Sequence, residues 1–278
     1  MVRRYESLFF DLDDTLWDTT ANSRDSLSEA FVCCGLDRYF PSFEAFYRIY
    51  HSHNEQLWTD YAAGRIDKDT LNFERFAHPF RSAGIETGTA TGFQALAPVG
   101  ETTTETCDHA TGRELLARFS ALFFSLIPTK RKVLPHAHET LRLLQERGYR
   151  LFILSNGFRE LQSRKMQAAG LDGFFRRIVL SDDIGILKPN PRLFHFALSA
   201  TQSDPRRSLM IGDNIRTDIL GAYHASLDQM YFNPRHLPIP TAAPAATSPT
   251  APLLPEPPKG WKPTFEVHAL AEIPLLLE

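Results

Sequence analysis

The sequence predicts an α/β fold: a doubly wound parallel sheet with a Rossmann-like core, into which an all-helical domain is inserted. Short apolar runs with strand character alternate with amphipathic helical stretches, as in successive β-α-β units. A long segment with helical periodicity and no convincing strand interrupts this alternation after the first strand. The predicted strands cover residues 6–11, 150–155, 177–181, 207–212 and 228–232.

Helices connect these strands, and their ends carry recognisable signals. A glycine ends two of them, because glycine favours the left-handed conformation that follows a helix. A Pro-Asn-Pro sequence starts a third, since proline suits the first helical turn. These helices cover residues 137–147, 158–169, 191–200 and a stretch from Asn214 or Thr217 to Ala225. A last strand at 264–267 and a short helix at 270–277 return the chain to the core.

The inserted helical domain is expected to cover residues 17–132, which leaves residues 1–16 and 133–278 for the α/β core. Apolar residues at helical spacing mark its helices at 21–33, 42–62, 68–80 and 113–126.

Two stretches lack any such periodicity. Residues 84–112 are rich in Thr and Gly, and we interpret them as an irregular insertion within the helical domain. Residues 233–263 contain ten of the 19 prolines. Because proline-rich chain favours extended, weakly packed conformations, we interpret this stretch as a surface excursion of the core.

Length and composition are those of a globular protein and argue against several classes. The chain has 278 residues, of which 43% are hydrophobic and 23% charged, and a formal net charge of −3. No basic block indicates a nucleic-acid surface, and no stretch of about 18 apolar residues could span a membrane. The three cysteines indicate neither a disulfide framework nor a zinc site. We therefore expect a cytoplasmic protein without nucleic-acid or membrane partners.

Chemically active side chains follow four of the predicted strands. Asp11 and Asp13 come directly after the first strand, where an open α/β sheet places its ligands. Crowded, dehydrated carboxylates need a cation, and Mg²⁺ prefers oxygen ligands. The groups after the later strands could bind Mg²⁺ and a phosphoryl group together with them. These later groups are Ser155-Asn156-Gly157, Lys188, Asp213 and Asp218.

The four motifs, in this order and at these strand ends, resemble those of the haloacid dehalogenase superfamily. The resemblance implies that the inserted helices form a cap over an α/β core. It also implies that Mg²⁺ is held by the Asp11 carboxylate, the Asp13 backbone carbonyl and Asp213. Asp218 would then support the waters or residues around the ion. Members that cleave carbon–halogen bonds lack a carboxylate at the position of Asp13, so its presence favours a phosphatase.

Phosphoryl transfer needs a nucleophile, neutralisation of the phosphoryl oxygens and a proton for the leaving group. Asp11 is the expected nucleophile, which gives an aspartyl-phosphate, and Asp13 is the expected general acid and base. Ser155, the backbone N–H groups of Asn156 and Gly157, and Lys188 are expected to bind the phosphoryl oxygens. Asp182 or Asp183 could orient Lys188, although helix capping or a solvated position is an equal alternative for either.

The substrate is expected to be a small phosphorylated metabolite, most specifically a pyrimidine nucleoside monophosphate. Residues 57–66, 128–136 and 155–158 resemble the noncanonical-pyrimidine 5′-nucleotidase branch of the superfamily. A phosphate-ester site alone cannot select a base, so an aromatic ring is expected to stack on it. The candidates are Trp17 and, within the cap, Trp58 and Tyr61, with core packing as the alternative role for each ring.

Two other functions stay open at this point. The first is a phosphatase of sugar phosphates or other small metabolites, because related caps serve both substrate types. The second belongs to another class: a non-catalytic phosphate or Mg²⁺ sensor that uses residues 233–263 as an interaction segment. The presence of Asp11, Asp13, Lys188 and Asp213 together argues against a sensor, since mere binding needs no nucleophile paired with an acid–base group.

Overall fold

The computed structural model describes residues 4–91, 93, 111–239 and 260–277. These residues divide into two compact units. The helical unit spans Ala21–Lys130, and the α/β unit comprises the described residues up to Thr20 and from Arg131 onward. Most of the two non-periodic stretches, 84–112 and 233–263, lies outside the described residues.

Among the described residues, four α-helices build the helical unit, and α1 begins at the last two residues of the first segment of the α/β unit. They are α1 (Thr19–Cys33), α2 (Phe43–Ala62), α3 (Lys68–Ser82) and α4 (Gly112–Leu126). Side-chain caps start three of them, as expected for Ser42, Asp67 and Thr111, each of which accepts a hydrogen bond from a backbone N–H three residues on. Buried aromatic rings such as Phe46, Phe76 and Phe119 hold α2, α3 and α4 together.

The α/β unit is built on parallel strands. They are β1 (Ser7–Phe10), β2 (Arg150–Ser155), β3 (Arg177–Leu180), β4 (Ser208–Gly212), β5 (Asp228–Phe232) and β6 (Phe265–Val267). Within the described ranges they form one six-stranded sheet in the order β3-β2-β1-β4-β5-β6. The direction of strand addition reverses at β1, and open sheets bind ligands beyond the carboxyl ends of the strands at such a switch point. The predicted fold class is therefore confirmed.

Helices of the α/β unit follow the predicted alternation. They are α5 (Ala137–Glu146), α6 (Arg159–Ala168), α7 (Pro191–Thr201), α8 (Gly221–His224) and α9 (Ile273–Leu276). A π-helical stretch, Ile215–Leu220, precedes α8 and is capped by the side chain of Asn214. Of the two predicted starting residues, Asn214 is thus the one that opens this helix. None of the helices in the described ranges combines the length and the hydropathy of a transmembrane span.

The central strands are buried along their whole length, which explains their uninterrupted apolar sequences. All residues of β1 and β4 are buried. Phe9, Phe152 and Met210 pack on one face of the sheet against residues of α7, including Phe194. Since neighbouring strand residues point to opposite faces, burial of every residue means that both faces of the sheet are covered. The polar residues of the site follow the carboxyl ends of these buried strands.

Candidate active site

Two loops and the π-helical stretch of the α/β unit bring a lysine and two aspartates together. Asp11 follows β1 and is 7% exposed, while Lys188 follows β3 and is 2% exposed. The Lys188 Nζ donates to Asp11 Oδ1 (2.6 Å) and to the Leu154 carbonyl oxygen (2.8 Å), and it lies 2.7 Å from Asp218 Oδ1. Three acceptors match the three protons of an ammonium group. Lys188 is therefore fixed beside Asp11 and is not a surface lysine of a turn.

The turn after β2 holds Lys188 from the other side. The Asn156 side chain accepts from the Lys188 backbone N–H (2.7 Å) and donates to the Lys188 carbonyl oxygen (3.0 Å). Ser155 Oγ accepts from Gly157 N–H (3.0 Å) and from Gln162 Nε2 (2.8 Å). Because these two bonds fill both acceptor positions of the hydroxyl, its own proton can be donated to a ligand. The geometry suits the predicted phosphoryl-binding role of Ser155.

Asp11, Asp213 and Asp218 form an acidic cluster in which one carboxylate oxygen from each residue lies within 4.8 Å of the other two. Thr15 fixes Asp213, since its hydroxyl donates to Asp213 Oδ1 (3.1 Å) and accepts from the Asp213 backbone N–H (3.0 Å). Glycine at position 212 makes room for Asp218, because a Cβ there would lie 2.3 Å from Asp218 Oδ2. The two predicted metal-binding carboxylates and the predicted supporting carboxylate thus lie at one place.

Among the residues that the structure describes, negative charge in this acidic cluster exceeds the positive charge around it. Burial raises the pKa of Asp11 to about 7; Lys188 opposes this rise, and Asp218 adds to it. Burial, followed by repulsion from Asp218 and Asp11, raises the pKa of Asp213 well above its usual range. Burial alone would lower the pKa of Lys188, but Asp11 and Asp218 outweigh it and raise that pKa. Three carboxylates beside one ammonium favour a further cation, and a donor set made only of oxygen suits Mg²⁺.

Asp13 lies in different surroundings, although it follows Asp11 by two residues. Its Oδ1 accepts from Thr19 Oγ1 and from Lys165 Nζ, each at 2.8 Å, and its Oδ2 accepts from Gln162 Nε2 at 2.7 Å. Burial would raise the pKa of Asp13, but the Lys165 ammonium and the hydrogen bonds from Lys165, Gln162 and Thr19 outweigh burial and lower that pKa. When no substrate is bound, these donors therefore favour the ionised form of the Asp13 carboxylate.

Sequence reasoning missed Gln162 and Lys165, which lie three residues apart on α6. Gln162 is 0% exposed and Lys165 7% exposed, so two polar side chains occupy the buried face of a helix. The available signal was this polarity: Gln162 and Lys165 share helical spacing with buried Met166 and Ala169, directly after the Ser155-Asn156-Gly157 motif. A buried amide and ammonium at such positions indicate partners from another element.

Asp182 and Asp183 do not contact Lys188 in the structure. Asp182 Oδ2 accepts from the backbone N–H of Arg159 at the start of α6 (3.0 Å). Asp183 accepts from the Leu180 backbone N–H (3.0 Å) and pairs with the Arg159 side chain. Both residues therefore have the capping role that was the alternative to orienting Lys188. Among the described residues, the carboxylate that contacts Lys188 besides Asp11 is that of Asp218.

The aromatic residues predicted as substrate contacts lie in two different units. Trp17 belongs to the α/β unit and is 0% exposed, and the Lys165 Nζ lies 4.5 Å from its ring centroid. This placement favours the packing alternative for Trp17. Trp58 and Tyr61 lie on α2 of the helical unit, partly exposed, with ring centroids 5.9 Å apart in an edge-to-face arrangement.

Comparison with known proteins identifies the family of the chain. The model of the haloacid dehalogenase-like hydrolase family matches residues 5–225. The chain is 28% identical to the pyrimidine 5′-nucleotidase YjjG of Escherichia coli, over 99% of this chain and 98% of that protein. It is 29% identical to the phosphoserine phosphatase of Thermus thermophilus, over 81% of this chain and 88% of that protein.

Among solved structures, the chain resembles YfnB of Bacillus subtilis, which was crystallised bound to magnesium. The two share 24% sequence identity with a TM-score of 0.74, and the match covers 99% of each chain. At this identity the likeness shows the fold.

Proposed function

Because the chain belongs to the haloacid dehalogenase-like hydrolases, we propose that it is a Mg²⁺-dependent phosphomonoesterase that acts through an aspartyl-phosphate. One observation carries the proposal: buried Lys188 binds one oxygen of Asp11 at the switch point of the sheet, beside Asp213 and Asp218. A binding protein would not need a nucleophile fixed in this way. The arrangement supports an enzyme over a phosphate or Mg²⁺ sensor.

In the proposed reaction, Asp11 attacks the phosphorus atom of the substrate. Lys188 holds Asp11 Oδ1, so the second oxygen is the attacking atom. A bond forms between this oxygen and phosphorus while the bond from phosphorus to the leaving oxygen breaks. The leaving oxygen takes its proton from Asp13, so the step requires that Asp13 carries a proton when the substrate is bound. Water then attacks the aspartyl-phosphate, gives a proton to Asp13 and releases inorganic phosphate and the Asp11 carboxylate.

The phosphoryl oxygens would be bound by donors around this pair. Lys188 supplies a buried positive charge, Ser155 a hydroxyl proton, and Asn156 and Gly157 their backbone N–H groups. Mg²⁺ would be held by the Asp11 and Asp213 carboxylates and the Asp13 carbonyl oxygen, and when bound it would neutralise charge on the phosphoryl oxygens. Asp218 already accepts from the Asn214 backbone N–H (3.1 Å) and faces Lys188, which suits support more than direct ligation.

The proposed substrate is a pyrimidine nucleoside monophosphate. Support comes from YjjG, whose similarity extends over 99% of this chain, so it includes the helical unit as well as the α/β unit. Trp58 and Tyr61, partly exposed aromatic rings of the helical unit, are the proposed contacts for the base. Phosphatase activity on other small metabolites is the second candidate, favoured by the similar identity to a phosphoserine phosphatase.

A substrate panel tests the proposal. Purified chain with Mg²⁺ would be assayed for phosphate release from pyrimidine and purine nucleoside monophosphates, sugar phosphates and phosphoserine, with Asp11→Asn as the blank. We expect the highest kcat/KM with pyrimidine nucleoside monophosphates. Higher kcat/KM with a sugar phosphate or phosphoserine would replace the nucleotidase proposal by the second candidate. Equal phosphate release by the Asp11→Asn blank would overturn the proposed mechanism.

A further inference from the structure

The Asp13 carboxylate is held at both of its oxygens by side chains outside the predicted motifs. Thr19 and Lys165 donate to Oδ1, and Gln162 donates to Oδ2. A carboxylate oxygen accepts about two hydrogen bonds. Oδ1 is therefore saturated, while Oδ2 has capacity for one more partner. Under the proposed function, Oδ2 is the atom that exchanges a proton with the leaving group and with water.

Gln162 connects this oxygen to the residues predicted to bind the phosphoryl group. Its Nε2 donates to Asp13 Oδ2 at 2.7 Å and to Ser155 Oγ at 2.8 Å, which uses both protons of the amide. The side chain is tightly enclosed, since a Cβ at Gly157 would lie 2.0 Å from Gln162 Nε2. Gln162 thus fixes the separation between the oxygen of Asp13 and the hydroxyl of Ser155.

The oxygen of the Gln162 amide indicates that the two hydrogen bonds of Nε2 are the reason for an amide at this position. Gln162 Oε1 is buried and has no hydrogen-bond partner among the described residues. An unpaired buried carbonyl oxygen is unfavourable, and an apolar side chain of similar size would avoid it. The two donor contacts of Nε2 explain why an amide occupies the position.

Lys165 fixes the orientation of the carboxylate from the opposite oxygen. Its ammonium lies 2.8 Å from Asp13 Oδ1 and 4.5 Å from the ring centroid of Trp17. The Lys165 ammonium therefore makes a cation–π contact with the fully buried Trp17 ring, which helps to fix its position. A charged donor on Oδ1 and an amide donor on Oδ2 together prevent rotation of the carboxylate.

We infer that Gln162 and Lys165 are positioning residues that hold Asp13 Oδ2 beside the hydroxyl of Ser155, and so beside the oxygen that leaves the phosphorus. The inference rests on the proposed phosphatase function. It gives α6 a role in proton transfer, although neither residue contacts the substrate. Both act through Asp13, so their effect must depend on the need for a proton.

The test compares a poor and a good leaving group in a single turnover. Lys165→Met and Gln162→Met remove the donors at similar side-chain size, and Lys165→Arg restores a charged donor. Arg164→Met and Gln167→Met serve as controls, because both residues are exposed on the same helix. Release of the leaving group would be measured with an alkyl phosphate and with 4-nitrophenyl phosphate, and thermal unfolding would verify the fold.

We expect Lys165→Met and Gln162→Met to slow the alkyl phosphate by about 10- to 100-fold, the size of a small misplacement of a catalytic group. The slowing with 4-nitrophenyl phosphate should be several-fold smaller, Lys165→Arg should recover most of the loss, and the controls should match wild type. In an Asp13→Asn background, neither substitution should cause a further loss.

Equal slowing of both substrates, or a full additional loss in the Asp13→Asn background, would overturn the inference and assign both residues to packing. If Gln162→Met does not fold, Lys165→Met and Lys165→Arg decide the matter alone. A wild-type chain without phosphatase activity would refute the proposed function itself, whereas an active chain with an unchanged leaving-group ratio in the variants refutes only the positioning role.

Discussion

Asp11 and Asp13 are two residues apart, yet their surroundings differ in charge balance. Asp11 shares its site with Asp213 and Asp218, and Lys188 is the cation that contacts it within the described part of the chain. The Asp13 carboxylate accepts hydrogen bonds from the Lys165 ammonium and from two neutral donors. Burial raises the pKa of Asp11 to about 7, and Asp218 adds to this rise against the effect of Lys188. Burial would also raise the pKa of Asp13, but the donors around it outweigh burial and lower that pKa.

The difference shows which part of the site needs a further cation. Around Asp13 one ammonium balances one carboxylate, and three donors bind its two oxygens. Around Asp11 three carboxylates face one ammonium, so protons or a metal ion must supply the remaining charge. Strand topology brings the acidic groups together, because β1 and β4 are neighbours in the sheet and Asp11 and Asp213 follow them. Helix α6 supplies the balancing groups on the other side.

The largest expected effect is that of Asp11→Asn. The amide keeps the size of the side chain but is a far weaker nucleophile, so we expect kcat to fall by about 10⁴-fold or more, as for other covalent nucleophiles. Phosphate release by purified variant and wild type, with circular dichroism to verify the fold, measures this. Substantial residual activity in a folded variant would mean that Asp11 is not the nucleophile.

Asp13→Asn should have a smaller effect that depends on the substrate. Loss of a general acid costs about 10²- to 10⁴-fold, and a good leaving group needs less protonation. We therefore expect a larger loss with an alkyl phosphate than with 4-nitrophenyl phosphate in the first half-reaction. Losses of the same size with both substrates would remove the acid role from Asp13.

Trp17→Ala tests the packing role of the buried ring that lies next to Lys165, the partner of Asp13. Trp17 is 0% exposed, so truncation should lower the free energy of unfolding by about 3–5 kcal/mol. Trp58→Ala is the matched control, because that ring is partly exposed and its truncation should cost less. Urea unfolding of both variants measures the difference. An unchanged unfolding midpoint for Trp17→Ala, with a raised KM for nucleotides alone, would instead support stacking on the substrate.

A smaller effect is expected in the pH dependence of stability. The raised pKa values of Asp11 and Asp213 mean that, from about pH 4 to 7, the folded chain retains protons that the unfolded chain has lost. Without metal, these two groups should therefore make stability fall as the pH rises through this range, and Mg²⁺ should reverse the fall. The lowered pKa of Asp13 acts below this range and the raised pKa of Lys188 above it.

Thermal unfolding at pH 5 and pH 8, with and without Mg²⁺, measures this effect. Asp213→Asn isolates the contribution of the acidic cluster, since it removes one of the two titrating carboxylates. The wild type should lose more stability between the two pH values than the variant does. A metal-free wild type that gains stability relative to Asp213→Asn on going to pH 8 would contradict the charge imbalance around Asp11.

The sequence predicted the parts of this site that follow strand ends. Asp11, Lys188 and Asp213 come after apolar strands, and parallel strands place their carboxyl ends at one edge of the sheet. Their proximity therefore follows from local pattern and topology. The role of the Asn156 side chain is harder to predict from sequence, because it binds the backbone of Lys188, 32 residues further along the chain.

The balancing groups around Asp13 could not be predicted from spacing. Gln162 and Lys165 reach Asp13 across 149 and 152 positions of sequence, and nothing local in α6 shows what they face. For the same reason, Asp182 and Asp183 could not be ranked against Asp218 as partners of Lys188. Which carboxylate meets a lysine depends on how loops pack at the end of the sheet, and sequence pattern does not contain that information.

Mg²⁺ binding tests the central claim most directly, because it reports charge imbalance without any substrate. Titration calorimetry at pH 7.5 would be carried out on the wild type, Asp213→Asn and Asp13→Asn. The wild type should bind one Mg²⁺, Asp213→Asn should lose most of this affinity, and Asp13→Asn should retain it, since its backbone carbonyl oxygen is unchanged. Absence of binding by the wild type, or binding by Asp213→Asn as tight as that of the wild type, would contradict the account.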